Sequence, residues 1–285
     1  MKSIQCGTKR LALDEPKVMG ILNVTPDSFS DGGRYYRDDC LSLDAVLRQA
    51  REMVMNGAQI LDVGGESTRP GAAEVSVQQE LDRIAPVVER LVSEFDVVVS
   101  VDTSQPVVMS VAASLGAGLI NDVRALRVEG ALEAVVKAKL PVCLMHMQGA
   151  PATMQEKPEY QNVMDDVSHS LLKYARRCEE AGVAKDQIIL DPGFGFGKSL
   201  AHNLQLLNRL DEICELGYPV LSGTSRKSMV GAITGKEPQQ RLGGSLCSAI
   251  LAVQKGACIV RVHDVAETVD ALKLMKAVRR EAWEV

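Results

Sequence analysis

The run Val97-Val98-Val99-Ser100-Val101-Asp102 is apolar almost without interruption until it ends in a carboxylate. Its β-branched side chains favour extended backbone. A strand with one wet face would alternate apolar and polar residues, so a run this continuous reads as a strand buried on both faces of a parallel sheet. Runs of the same character recur at 18–23, 60–64, 119–122, 142–146, 188–191, 220–223 and 259–263, making eight with 97–102. Successive runs start far enough apart to hold a crossover helix, and helical periodicity fills the gaps. Leu81, Ile84, Val88, Leu91 and Phe95 follow a 3.6-residue period, as do Met164, Val167, Leu171, Ala175 and Cys178. Eight strand-helix units predict an α/β fold, a (β/α)8 TIM barrel. The residues before Val18 read as a short N-terminal hairpin closing the barrel's bottom, and the connections after the first two strands are long. No Pro- or Ser-rich linker divides the chain, so 1–285 reads as one domain. A doubly wound open sheet would usually carry a phosphate-binding glycine fingerprint after its first strand, and none is there.

Nearly every run ends in a polar residue: Asn23, Asp62, Asp102, Asn121 with Asp122, His146, Asp191, Thr224 with Ser225, and Arg261 with His263. Any one of these could simply cap the next helix. All eight together, with Asp102, Asn121 and Asp191 inside otherwise apolar runs, describe the rim where active sites of this fold sit.

The composition, 46% hydrophobic and 24% charged, excludes disordered, collagen-like and coiled-coil classes. Residues 103–121 form the longest uncharged run, but Pro106, two glycines and several serines argue against a membrane span. The N-terminus lacks the basic, apolar and small-residue succession of a signal peptide, so a cytoplasmic location is expected. Seven cysteines without a C-x-x-C pair fit neither a disulfide framework nor a zinc site, and most read as reduced core residues. A net charge of -5 argues against broad nucleic-acid binding. Any anionic ligand must be met by local cations.

Two connections exceed a tight turn. The first runs from Val24 to Leu41 and holds Thr25-Pro26-Asp27-Ser28-Phe29-Ser30-Asp31-Gly32-Gly33; the second holds Gly64-Gly65-Glu66-Ser67-Thr68-Arg69-Pro70-Gly71. Such loops serve as lids that ligate a metal or an anion, or as plain solvated loops. The run Asp191-Pro192-Gly193-Phe194-Gly195-Phe196-Gly197-Lys198-Ser199 is not a P-loop, because Pro192 stands where the first glycine is required. Its alternate glycines let backbone approach a flat ligand, with Phe194 or Phe196 offering a ring face. Thr224-Ser225-Arg226-Lys227-Ser228 follows the seventh strand, a common place for a phosphate site in barrels. Arg261 and His263 alternate along the eighth strand and share a face. Together these describe a two-part site. Asp102, Asn121, Asp191 and Lys227 ring an inner mouth suited to a flat, donor-rich heterocycle. Asn23, Arg69, Arg261 and His263 form a cationic outer patch for a phosphate, with Asp31 or Asn23 available to a hard cation.

These residues resemble the dihydropteroate synthase family. The resemblance runs through nearly the whole chain: Gly20-Ile21-Leu22-Asn23-Val24-Thr25-Pro26-Asp27-Ser28-Phe29-Ser30-Asp31-Gly32-Gly33, then 62–71, Val101-Asp102-Thr103, Asn121-Asp122, Leu144-Met145-His146, 191–196, Ser225-Arg226-Lys227-Ser228 and Arg261-Val262-His263-Asp264. It implies condensation of 6-hydroxymethyl-7,8-dihydropterin pyrophosphate with p-aminobenzoate to give 7,8-dihydropteroate and pyrophosphate, with Mg2+ required, a homodimer, and sulfonamides as inhibitors.

Carried over, the family's pterin contacts fall on Asp102, Asn121, Met145, Asp191, Phe196, Gly223, Lys227 and Arg261. Its pyrophosphate contacts fall on Asn23, Arg69, Arg261 and His263, its p-aminobenzoate contacts on Thr68, Arg69, Pro70, Phe196, Lys227 and Ser228, and its metal ligands on Asn23 and Asp31. The catalytic set becomes Asp102, Lys227, Arg261 and Asp31. The chemistry agrees, since a carboxylate at Asp191 accepts from a pyrimidine edge and Asn121 offers both donor and acceptor. An early break of the carbon-oxygen bond would give a dihydropterin cation, stabilised by Asp102 and captured by the neutral aryl amine without a strong base. Ser222 departs from the expected apolar strand residue, which puts local packing in doubt. Rival readings are a methyltetrahydrofolate-corrinoid methyltransferase and a non-catalytic pterin-binding protein. The first has no reason to keep 225–228 and both long loops, the second none to keep Arg69, Arg261 and His263 together.

Overall fold

A computed structural model describes residues 3–25, 36–37, 40–67, 75–149, 154 and 158–282. The chain opens with an antiparallel hairpin of β1 (Ser3–Cys6) and β2 (Lys9–Ala12). The first barrel strand, β3 (Lys17–Asn23), precedes a short antiparallel pair, β4 (Tyr36–Arg37) and β5 (Cys40–Leu41), and helix α1 (Leu43–Met55). Then β6 (Ile60–Gly64), α2 (Val77–Glu94), β7 (Val98–Asp102), α3 (Pro106–Ser114), β8 (Leu119–Asp122), α4 (Ala131–Ala138) and β9 (Val142–Met145) alternate. The pattern continues through α5 (Val163–Glu180), β10 (Ile188–Asp191), the helices α6 (Leu200–Asn208) and α7 (Leu210–Cys214), and β11 (Leu221–Ser222). Helices α8 (Ser228–Thr234) and α9 (Leu242–Gln254), strand β12 (Ile259–Val262) and α10 (Val265–Arg280) complete it.

The eight long-range strands pair in parallel in the order β10-β9-β8-β7-β6-β3-β12-β11. A bridge between Leu190 and Val220 brings β11 back to β10, and the Leu190 N–H donates to the Pro219 carbonyl at 2.9 Å. The architecture is the expected (β/α)8 barrel. Of the run 220–223 Leu221 and Ser222 are strand, and Val220 joins the sheet through its bridge to Leu190. Residues 103–121 contribute α3 and the start of β8, and no described helix is long and apolar enough to cross a membrane.

The helices cover the sheet as their periodicity predicts. Helix α2 buries Ile84, Val87, Val88 and Leu91, and starts in a capping box in which Ser76 accepts the Gln79 N–H. Helix α5 buries Met164, Val167, Leu171, Ala175 and Cys178, with Asn162 accepting the Met164 N–H at its start. Of the six described cysteines only Cys6, Cys143 and Cys178 are buried, and Cys247 is exposed on α9, so the expectation that most would be core residues holds for half of them. The periodicity of α9 turns position 247 outward, and one thiol is too small a cost to exclude from the surface.

Inside the barrel each strand sends one apolar residue to the lower end: Met19, Ile60, Val98, Leu119, Cys143, Ile189, Leu221 and Ile259. Ile4, Cys6 and Leu11 of the hairpin pack onto this ring and close it, as the sequence predicts. The hairpin comes so near that a Cβ on Gly118 would lie 2.9 Å from the Cys6 carbonyl oxygen. Burial of each large aliphatic side chain here is worth about 1.5–3 kcal/mol. This plug leaves the opposite mouth as the open end.

Candidate active site

Side chains alternate along a strand, so residues two positions beyond the apolar ring also point inward. They are Ile21, Asp62, Ser100, Asn121, Met145, Asp191, Gly223 and Arg261. One pleat separates a greasy plug from a polar layer. The same count reaches Asn23, Gly64 and Asp102 at the ends of β3, β6 and β7.

The polar layer is bonded to itself. Asp62, fully buried, accepts from the Ser100 hydroxyl at 2.6 Å, from Asn121 Nδ2 at 3.1 Å and from Arg261 Nε at 2.6 Å. Arg261 Nη2 donates to Asp102 Oδ2 at 3.0 Å, so one guanidinium bridges two carboxylates. Burial pushes the Asp102 carboxyl up from its ordinary value, while Arg261 pulls it back. Arg261, flanked by two carboxylates, is held above its ordinary range, so its charge is permanent.

The opposite parity points outward. Asp122 accepts from the Ser104 hydroxyl and from the N–H groups of Arg124 (2.8 Å) and Leu126 (2.7 Å). It caps a turn, the structural role that strand-end carboxylates often have. His146 also lies outside the barrel, where its Nδ1 meets Lys198 Nζ at 3.0 Å. Burial and the Lys198 charge lower its pKa to about 3, so the ring is neutral and accepts the ammonium hydrogen. Lys198 also donates to the carbonyls of His146 (3.3 Å), Gly193 (2.9 Å) and Phe196 (3.0 Å), and burial lowers it to about 7. The lysine that suggested a P-loop is a strut for the loop after β10.

That loop shapes the mouth. The Asp191 Oδ1 accepts the Gly193 N–H at 2.7 Å, which orients the carboxylate across the barrel. A Cβ on Gly193 would sit 1.9 Å from the His146 carbonyl oxygen, and its φ is +69°, so no other residue fits. Of the two candidate rings, Phe194 is fully buried in the core and Phe196 is half-buried beside Val123, Met145, Met147 and Met154. Lys227 Nζ lies 4.6 Å from the Phe196 ring centroid and donates to the Phe194 carbonyl. Burial lowers Lys227 to about 8, against the opposing pull of Asp191. The same burial raises Asp191.

At the outer side His263 Nδ1 meets Ser225 Oγ at 3.0 Å, which fixes the imidazole at the end of β12. Arg226, at φ +57°, pairs with Asp264 and ties the loop after β11 to the end of β12, carrying Lys227 with it. Ser228 is exposed at the start of α8. Asn23 Oδ1 and Asp102 Oδ2 would lie 3.4 and 3.9 Å from a Cβ on Gly64, so the glycine leaves a small opening between two oxygen donors.

The structure thus gathers Asn23, Asp102, Asn121, Met145, Asp191, Phe196, Gly223, Lys227, Ser228, Arg261 and His263 about one mouth. Asp31, Thr68, Arg69 and Pro70 lie outside the described residues. Arg261, expected in the cationic outer patch as well as around the ring, is committed to Asp62 and Asp102. The strand-end pattern places Asp62 at the rim without giving it a contact, and Ser100 is not among the expected site residues. The signal was present: both share the inward parity of Asn121 and Arg261.

With this geometry in place, the family model for pterin binding enzymes matches residues 19–263. The dihydropteroate synthase of Haemophilus influenzae is 54% identical over 274 residues, covering 96% of this chain and 98% of the relative. A dihydropteroate synthase from Yersinia pestis, solved as a sulfonamide drug complex, superposes with a TM-score of 0.94 at 53% identity, covering 98% of this chain and 99% of that one. The Xanthomonas albilineans enzyme in complex with 7,8-dihydropteroate gives a TM-score of 0.87 at 46% identity, covering 97% and 98%.

Proposed function

Since the chain belongs to the pterin binding enzyme family and, within it, to the dihydropteroate synthases, we propose how its own residues carry the reaction of that group. It condenses 6-hydroxymethyl-7,8-dihydropterin pyrophosphate with p-aminobenzoate and releases pyrophosphate. Neither the corrinoid methyltransferase nor the non-catalytic reading is favoured by the relatives. The observation that carries the residue assignment is the buried polar layer of Asn121, Asp191 and Arg261 under Asp102 and Lys227.

The pterin ring enters this layer. Asp191 accepts from its pyrimidine edge, Asn121 meets a second edge, and Met145 and Phe196 cover the ring. A guanidinium has five donors, more than its bonds to Asp62 and Asp102 consume, so Arg261 still has N–H groups for the ligand. His263, Asn23, Arg69 and Arg261 receive the pyrophosphate. Thr68, Arg69, Pro70, Phe196, Lys227 and Ser228 receive p-aminobenzoate.

The chemistry follows from charge placement. As the carbon-oxygen bond breaks, positive charge grows on the dihydropterin and negative charge on the leaving pyrophosphate. The Asp102 carboxylate faces the first, and Arg261 and His263, with Arg69, the second; Asp102, Arg261 and His263 are held in place by their hydrogen bonds before reaction. The amine is neutral and needs no base to attack. Among the described residues no three acidic, imidazole or thiol side chains cluster to hold a metal by themselves. The opening beside Gly64 fits Mg2+ that takes one or two protein oxygens and otherwise phosphate. Asn23 and Asp31 would hold it, and it would neutralise the leaving group.

Exposed Leu200 and Leu204 on α6, Ile233 on α8 and Leu251 on α9 lie on helices that pack together, and support a homodimer. A cytoplasmic location is part of this reading, supported by cysteines that fit no disulfide framework. Incubation of the purified protein with both substrates and Mg2+ tests the reaction, with dihydropteroate and pyrophosphate expected in equal amounts. Sulfonamides should inhibit competitively with p-aminobenzoate. Failure to form product, or inhibition that added p-aminobenzoate does not relieve, would sink the assignment. A monomer by light scattering would remove the dimer.

A further inference from the structure

Asp62 belongs to none of the expected ligand contacts, yet it is the most connected side chain of the mouth. A carboxylate only accepts hydrogen bonds. Whatever faces Asp62 Oδ2 must therefore be a donor, and the Asn121 group 3.1 Å away must be its NH2. The amide oxygen of Asn121 then points away from Asp62, and no described residue donates to it. Rotating the amide would set oxygen against oxygen and strand a buried carboxylate lone pair. Asp62 is itself pinned. It sits directly opposite Ser100 in the β6–β7 ladder and takes that hydroxyl, while Arg261 Nε holds its other oxygen.

We propose that Asp62, steadied by Ser100, is a positioning residue that fixes Asn121 as a hydrogen-bond acceptor toward the ligand and so makes the pocket selective for a ring with an N–H at that edge. This rests on reading the mouth as the pterin pocket. Reduction of a pterin to its 7,8-dihydro form converts one ring nitrogen from acceptor to N–H donor. A fixed acceptor therefore favours the dihydro ring and repels the oxidised one. A freely rotating amide would serve both.

The test uses 7,8-dihydropterin and the fully oxidised pterin as probes in calorimetric titrations of the whole protein. The wild type should bind the dihydro form at least about tenfold tighter, since a site built around a hydrogen bond rejects an analogue that lacks it. Asp62→Leu removes the acceptor and should bring the two affinities within about threefold. Asp62→Asn should keep the preference, because the Ser100 hydroxyl accepts the new NH2 and leaves the remaining oxygen facing Asn121. A role limited to balancing the Arg261 charge predicts instead that both variants fail alike. If Asp62→Leu does not fold, Asp62→Ser serves, because its shortened side chain no longer reaches the Asn121 NH2 and should likewise bring the two affinities within about threefold. Equal preference in wild type and in the folded removal variant, Asp62→Leu or Asp62→Ser, overturns the proposal. A wild type that binds neither pterin overturns the pocket reading itself.

Discussion

Two rings of side chains in this barrel differ by one pleat and by almost everything else. The lower ring, Met19 to Ile259, is apolar and sealed by the hairpin; the next, Ile21 to Arg261, carries two carboxylates, an amide, a hydroxyl and a guanidinium. Both hang from the same strands. The lower ring closes the barrel, and its tight packing holds the upper one rigid. The upper ring places charges where water would otherwise satisfy them, and does so because each has a partner within about hydrogen-bond reach. Stability and chemistry are thus assigned to alternate steps of one ladder, and substitutions in the two rings should separate them.

The largest effect is expected from Leu119→Ala in the lower ring, a loss of about 2–5 kcal/mol of folding stability with the pterin affinity of the folded protein intact. Urea denaturation beside calorimetry reads both, and a parallel loss of affinity would erase the division. In the upper site the signs reverse. Lys227→Ala should lower turnover by about a hundredfold, roughly 2.7 kcal/mol, with little change in melting temperature. Full activity, or simple unfolding, would remove Lys227 from the site. Asp191→Asn replaces an acceptor by a donor facing ring donors, and should weaken binding of an unreactive pterin by about 1–3 kcal/mol. Folding stability should hold, since the change deletes a buried carboxylate whose ionisation burial already opposes.

The pH profile probes the same layer without mutation. Lys227 is lowered to about 8, so its charge is present below that pH and lost as pH rises through it. Turnover should fall above about pH 8, approaching tenfold per unit. Asp102 is raised, so its carboxylate is present at higher pH and lost on acidification earlier than an ordinary aspartate. The acid limb should move down in Asp102→Asn only if another group sets it; disappearance of the limb supports Asp102. Smallest is Ser222→Ala. The Ser222 hydroxyl is buried without a hydrogen-bond partner, on the outward parity of β11, and its removal should stabilise the fold by about 1 kcal/mol. A destabilised variant in thermal melts would argue that the hydroxyl is bonded after all.

Much of this was legible in the residues. The eight apolar runs became eight strands, and Ser222 stood out as a polar residue where packing wants an apolar one. Phe194 and Phe196 were equivalent in sequence, and only burial separates core from ring face. Asp122 and His146 read like Asp102 and Asn121 as polar residues at strand ends, and only counting the alternation from the apolar ring puts them on the outward parity. Asp62 reads as a rim residue without a role, because its partners are remote: Asn121 lies 59 positions away and Arg261 199.

The amino-acid sequence by itself determined the strand and helix periods, the capping signals, the glycines of the loop after β10 and the chemical inventory of the rim. These are local, set by backbone sterics and by side-chain alternation within a few residues. The tertiary structure alone decided which inward residues meet, through the register that sets Asp62 against Ser100 and Asp102 against Asn121, and through the bridge from Leu190 to Val220 that turns a sheet into a closed mouth. Hydrogen bonds and desolvation depend on distance in space, and distances between strands do not exist until the barrel closes.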